Sequence, residues 1–247
     1  MIPRKCRILI FLMLILLVSE GYLSCGPLGA QERKVMKRPY IDTRIWHYGF
    51  LFGLHFQDLD IACNGLIFDN NGNLESWYAD VANYSPGFSV GVLGELRLNE
   101  YLSLRVVPTM HFGDKTIIFK DINSGIQTSQ VMKSTYISAP VDLKLSAPRF
   151  NNFRPYIMVG ACPLFDLTVK DQKELLVRRA DCMIEFGLGM DLYFRYFKLI
   201  PELKFCFGLS NIIVRDRSDL TDASLLKFTE SVNSIRNRMI ALTFYFE

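Results

Sequence analysis

Long apolar runs are missing from most of this chain. Beyond the first 18 of its 247 residues there is no stretch of 18 consecutive apolar residues, which excludes a transmembrane helix there. Histidine is scarce, with only His47, His55 and His111. The cysteines form no CxxC pair and no Cys–His spacing of a zinc site. No metal and no cofactor is therefore expected. A G-x-S-x-G nucleophile motif is also missing. So is an excess of one charge. Lys plus Arg number 28 against 25 for Asp plus Glu, a net charge of +3. With no basic stripe in the strand-like regions, nucleic acid is not an expected partner. What the chain does have is apolar and aromatic content. Hydrophobic residues make up 50%, with 19 Phe and 11 Tyr, too much for a disordered chain.

The N-terminus reads as an export signal. Arg4, Lys5 and Arg7 precede an apolar run from Ile8 to Val18, and small residues follow from Gly26 to Ala30. A basic head, a short apolar middle and a small-residue exit describe a secretory signal peptide, here 1–30, cut after Ala30. A cut before Cys25 with lipidation is the alternative, and Tyr22-Leu23-Ser24 fits it badly. Residues 31–45 are expected to form a periplasmic segment, and 46–247 the folded body. Export permits disulfides, but nothing in the sequence pairs Cys63, Cys162, Cys182 and Cys206.

Eight runs in that body alternate apolar and polar residues with a period of two, the mark of β-strands. They cover Trp46–Phe56, Gly87–Leu98, Leu102–Phe112 with an extension to Phe119 left open, Ser134–Leu145, Arg154–Leu167, Cys182–Phe194, Lys198–Leu209 and Arg238–Phe246. Each reaches the roughly 9–11 residues that a tilted strand needs to cross a bilayer. Ile184, Phe186, Leu188, Met190 and Leu192 share one face. Glu185, Gly187, Gly189, Asp191 and Tyr193 share the other.

Alternation alone does not say which face is inside. Three further features do. The polar face mixes glycines with charges of both signs, which suits a narrow lumen filled by side chains. The expected ion-paired plug comprises Glu95, Arg97, Arg105, Asp142, Lys144, Glu185, Asp191, Glu202 and Lys204. Connections alternate in length: 99–101, 146–153 and 195–197 are short, whereas 57–86, 113–133, 168–181 and 210–237 are long. Outer-membrane barrels have short periplasmic turns and longer extracellular loops. Finally, Tyr101, Phe150, Phe153, Tyr193, Phe194, Tyr196, Phe197, Tyr245 and Phe246 crowd the short-turn end, as an interfacial girdle would. The expected fold is all-β: an eight-stranded antiparallel transmembrane β-barrel in the outer membrane. Pro108, Pro140, Pro163 and Pro201 fall inside strands and remove ladder donors, so bulges or local kinks are expected there.

Candidate chemistry is thin. Asp69 to Asn73 faintly suggests a calcium loop, but the glycine and the closing acid are misplaced, and a tight turn explains it better. An enzyme would need a set at the outer rim, and only His55 with Asp58 or Asp60, and His111 nearby, offer one. Structural roles for these residues outweigh it, and no enzyme is expected. Ser218 to Ala223 precede Leu225, Phe228, Val232 and Ile235 at helical spacing, which predicts a short amphipathic helix. Trp77, Tyr78, Tyr84, Leu225 and Phe228 are candidate partner-contact residues. Simple loop packing is the equal alternative.

Three stretches carry a resemblance: Pro86–Gly91 leading to Leu96–Leu102, the FNNFRPY of Phe150–Tyr156, and YFKLIPELKF of Tyr196–Phe205 followed by Gly208-Leu209-Ser210. Together they resemble the PorT family of outer-membrane barrels. The resemblance implies an accessory role in type IX protein secretion, the export and surface anchoring of proteins with C-terminal signals. It implies partners in a secretion complex besides the lipid bilayer, and no catalytic residue. An adhesin or ligand-binding barrel is the alternative.

Overall fold

The computed structural model describes residues 35–63, 67–68, 74–75, 77–83, 86–121, 127–168, 177–214 and 232–247. Tyr84, Leu225, Phe228 and the Asp69–Asn73 cluster lie outside them. The folded body is the compact unit Met36–Glu247.

After a single 3-10 turn at Ile41–Thr43, the described residues contain only strands. They are β1 (Trp46–Cys63), β2 (Ile67–Phe68), β3 (Leu74–Glu75), β4 (Trp77–Asn83), β5 (Pro86–Arg97), β6 (Leu102–Val106) and β7 (Thr109–Asp121). Then come β8 (Gln127–Ser138), β9 (Val141–Ser146), β10 (Phe153–Asp166), β11 (Ala180–Tyr193), β12 (Lys198–Gly208) and β13 (Val232–Phe246). Among the described residues no helix is long and apolar enough to cross a membrane.

The pairing closes on itself. β1 pairs with β5, β5 with β6 and β7, β6 with β9, β7 with β8, and β8 and β9 with β10. From there β10 pairs with β11, β11 with β12, β12 with β13, and β13 with β1 again. Every pair is antiparallel. Taking β6 with β7 and β8 with β9 as interrupted strands gives a ring of eight. A closed ring leaves no edge, which the hydrocarbon requires because it offers no water to an unpaired peptide.

The strand faces are inverted relative to a water-soluble body. Phe50, Phe52, Leu54, Val92, Leu143, Val159, Phe186, Leu188, Leu203 and Leu242 point outward and are exposed. Glu95, Arg105, Asp142, Lys144, Glu185, Asp191, Glu202 and Lys204 point inward and are buried. Burying charges while exposing aliphatics is untenable in water but correct in lipid.

Of the two accommodations expected at the prolines, a bulge is not the one found at Pro108 and Pro140. Pro108 and Pro140 sit in the breaks between β6 and β7 and between β8 and β9, yet the register runs through both breaks without a shift. There is no bulge. Val92, Val107 and Ala139 each donate a backbone hydrogen bond to the carbonyl of Pro108, Pro140 and Pro163 on the next strand, at 3.1, 3.2 and 3.2 Å. Proline cannot return the bond, so each break costs one rung and leaves the alignment intact.

Two other expectations change. The strands run further at the long-loop end than the alternation suggested: β1 reaches Cys63, β7 reaches Asp121 and β13 starts at Val232. Asp58↔Arg238 and Asp60↔Arg236 are rungs there, and the Arg238–Asp60 pair, 2.6 Å, is exposed. Beyond the bilayer the outward face meets water instead of lipid, so Asp58 and Asp60 replace apolar residues there while the inward face stays buried at Leu59 and Ile235. The predicted helix also fails at its end, because Val232 and Ile235 lie in β13 and face inward.

Candidate functional site: the barrel interior

A period of two delivers every second side chain of each strand to the lumen, and in this chain those positions carry most of the strand charge. Arg105 on β6 is at the centre of the lumen, 0% exposed. Its Nη1 donates to Glu202 Oε2 at 2.7 Å, and its Nη2 donates to Glu95 Oε2 at 3.0 Å. Glu202 Oε1 accepts from the Tyr245 hydroxyl at 2.9 Å, and its Oε2 accepts from the Tyr156 hydroxyl. Arg105 also lies over both rings, 5.2 Å from the centroid of Tyr156 and 4.9 Å from that of Tyr245. Tyr156 reaches this position because it lies across Gly189 of β11, where a Cβ would collide with its ring.

The pairing continues in both directions. Lys144 bridges Glu95 and Asp191 at 3.5 and 3.0 Å. Lys198 joins Asp191 to Glu247 at 3.3 and 2.9 Å. On the other side Lys204 contacts Glu202, Asp142 and Glu185 at 3.5, 3.5 and 3.2 Å. Among the described residues this one network contains the carboxylates of Glu95, Asp142, Glu185, Asp191, Glu202 and Glu247 and the Lys and Arg cations Arg105, Lys144, Lys198 and Lys204. It is acid-rich.

The short-turn end is closed by the segment before β1. Ile41 is buried there, and Asp42 accepts from the Tyr193 hydroxyl at 2.7 Å and from Arg149 at 3.1 Å. His47 Nδ1 lies 2.6 Å from Glu247 Oε1. Burial pushes the Glu247 carboxyl up, but the hydrogen bond from His47 and the Lys198 charge outweigh it and hold the group at about 2.

Above the charges lies a chain of neutral groups. His55 Nδ1 is 2.7 Å from Ser89 Oγ, which is 2.8 Å from His111 Nδ1, and His111 Nε2 is 2.9 Å from Ser138 Oγ. Gln57 Nε2 donates to His55 Nε2 at 3.0 Å. With that amide orientation, each link has one donor and one acceptor when both imidazoles are neutral. Ser89 is fully buried between the rings. Asp58 and Asp60, the carboxylates considered as partners for His55, have the opposite strand parity. Asp60 instead binds Arg238.

The structure brings together eight of the nine residues expected in the plug. The exception is Arg97. It ends β5 beside the turn, is half-buried, and donates to the Asn99 carbonyl at 3.3 Å. Lys198, Glu247, Tyr156 and Tyr245 also belong to the interior. Strand parity would have found Lys198 and Tyr156, since both share the inward positions of their strands. The girdle loses two members, because Tyr193 and Tyr245 are buried inside, whereas Tyr101, Phe150, Tyr196 and Phe197 remain outside and exposed. Trp77 and Tyr78 have their backbone in β4.

Residues 30–214 match the family described as outer membrane protein beta-barrel domain. No curated protein matches. Among solved structures, the outer membrane protein OprG from Pseudomonas aeruginosa is similar at 12% identity and a TM-score of 0.43, covering 81% of this chain and 93% of OprG. The outer membrane protein AlkL in lipid bilayers is similar at 13% identity and a TM-score of 0.41, covering 81% of this chain and 90% of AlkL.

Proposed function

Because the chain belongs to the outer membrane protein beta-barrel domain family and so resides in the outer membrane, we propose that it is a non-catalytic accessory barrel of protein secretion. On this reading it supports the type IX export of proteins with C-terminal signals. The observation that carries the proposal is the filled lumen. Arg105, Glu202, Tyr156, Tyr245 and Ile200 are each no more than 4% exposed and come from the strands on both sides of the ring. A ring of eight strands has an interior just wide enough for side chains to fill. Cargo does not pass through such a barrel. Its contribution is made by its outer wall, its turns and its extracellular hairpins, through contact with other outer-membrane proteins. The PorT-like stretches support the choice of secretion. YFKLIPELKF spans the turn between β11 and β12 and supplies Lys198, Glu202 and Lys204 to the interior.

Deleting the gene tests this. Proteins with C-terminal export signals are expected to accumulate in the periplasm, and a plasmid copy of the gene should restore their surface display. If export is normal in the deletion strain while adhesion or ligand uptake is lost, the secretion role is wrong and the barrel is an adhesin or a ligand-binding protein.

A further inference from the structure

Four sulfur-bearing side chains point into the upper lumen from four consecutive strands. They are Cys162 on β10, Met183 on β11, Cys206 on β12 and Met239 on β13, all buried. Cys162 and Met183 form one rung, and Cys206 and Met239 form another. With Tyr136 and Leu164 they pack into one cluster. The other cluster in the lumen, built on Leu51, Leu93, Val107 and Ile200, is mainly aliphatic. That second cluster carries a single sulfur, Met158, whereas four of the six members of the first bear sulfur.

The cysteines do not make a disulfide, and both are free. They sit two strands apart, about 9–10 Å between backbones, beyond the roughly 7 Å that a disulfide tolerates. Cys206 Sγ instead donates to Glu185 Oε1 at 3.6 Å, and Cys162 Sγ donates to the Pro163 carbonyl at 3.8 Å. Met183 and Met239 line a small cleft at the long-loop end, together with Gln57, Tyr136 and Asn237. The side-chain oxygens of Gln57 and Asn237 have no hydrogen-bond partner among the described residues. The thioethers thus face the opening, and the thiols lie deeper.

We propose that this cluster is a binding site for a soft monovalent metal ion, Cu(I). Thiol and thioether sulfurs select Cu(I) over the harder divalent ions. No three His, Cys, Asp or Glu side chains converge on a metal position among the described residues, so the set becomes a site only through its methionines. On binding, a Cu–S bond forms at Cys206 as its S–H bond breaks, and the proton passes to the Glu185 carboxylate. No redox change occurs. The two thioethers and Cys162 complete the coordination. The ion adds one positive charge to an interior where carboxylates outnumber cations, which favours a cation over a neutral ligand.

The experiment is an anaerobic titration of the refolded full-length barrel in detergent micelles against the Cu(I) chelator bicinchoninate. Cys6, Cys25, Cys63 and Cys182 are replaced by serine so that other thiols do not contribute. One Cu(I) per barrel is expected, with sulfur neighbours in X-ray absorption, and Ag(I) should compete. Cys206→Ser and the pair Met183→Leu/Met239→Leu should each weaken binding at least about tenfold, because losing a ligand costs no less than losing an outer-shell partner. Leucine conserves the volume of methionine, so that pair decides the question if Cys206→Ser fails to show the gel shift of a folded barrel. No uptake by the folded parent, or unchanged affinity in the methionine pair, overturns the proposal.

Discussion

Glu202 shows what burying a charge requires. Its two oxygens receive Arg105, Tyr156 and Tyr245, with Lys204 alongside. Removing one partner of a buried pair costs about 3–5 kcal/mol, because the other charge is left stranded. Arg105→Met is therefore expected to lower the denaturant midpoint of the refolded barrel by that order, leaving Glu95 and Glu202 short of a cation. Arg105→Met/Glu202→Met should recover part of the loss, and a double variant as unstable as the single one would contradict this. Glu247 gives a pH effect. Its folded value of about 2 lies below the ordinary 4.5, so the stability it contributes is fully present above about 4.5. That stability is lost as pH falls from there through about 2. Between pH 5 and 2, Glu247→Gln should lose less stability than the parent, measured as the difference between their unfolding midpoints. Equal losses would show that the contact with His47 and Lys198 has no such role.

Strands were the most legible part of the sequence. Glu185, Asp191 and Glu202 were assigned to the lumen, and Phe186 and Leu203 to the lipid face, because a period of two leaves a side chain no third choice. The same rule failed to separate a girdle tyrosine from a lumen tyrosine at strand ends. Tyr193 and Tyr245 have inward parity, yet they were grouped by their nearness to the turn. Alternation also stopped short at Phe56, since Asp58 and Asp60 continue β1 above the membrane with an outward face in water, while Gln57 and Leu59 stay buried inside. The sulfur cluster was not legible at all. Cys162 and Met183 become neighbours only through the register of β10 with β11, which no spacing within one strand encodes. The strand-level test is Phe186→Arg. Phe186 pairs with Phe205 and Val159 on the flanking strands and is 44% exposed outward. Arginine near the bilayer midplane costs about 2–4 kcal/mol, so the variant should fold into lipid vesicles with a correspondingly lower urea midpoint. Gly187→Arg, one position on, should fail differently, by colliding with Met158 at 2.7 Å inside the barrel. If Phe186→Arg folds as the parent does, the outer face is not in lipid.

At the scale of the whole molecule, closure and filling decide what the barrel does in the membrane. Within the eight-strand ring the described residues leave no strand edge to recruit a partner by β-addition, so contacts with other proteins use side chains of the wall, the turns or the extracellular hairpins. Inside, Leu51, Leu93, Val107 and Ile200 pack beside the Arg105–Glu202 pair. The periplasmic end is sealed by Ile41 and the Asp42–Arg149–Tyr193 contacts. Charged side chains tied into one network across the lumen leave no open aqueous path, and the aliphatic side chains beside them exclude water. The purified barrel in a planar bilayer is therefore expected to give no stable conductance steps. Tyr156→Ala/Glu202→Ala empties the centre of the lumen and leaves Arg105 without its main partner, and that variant should conduct small ions. Steady conductance by the parent protein would mean that the interior opens in lipid, and transport through the lumen would then replace contact at the wall as the basis of function.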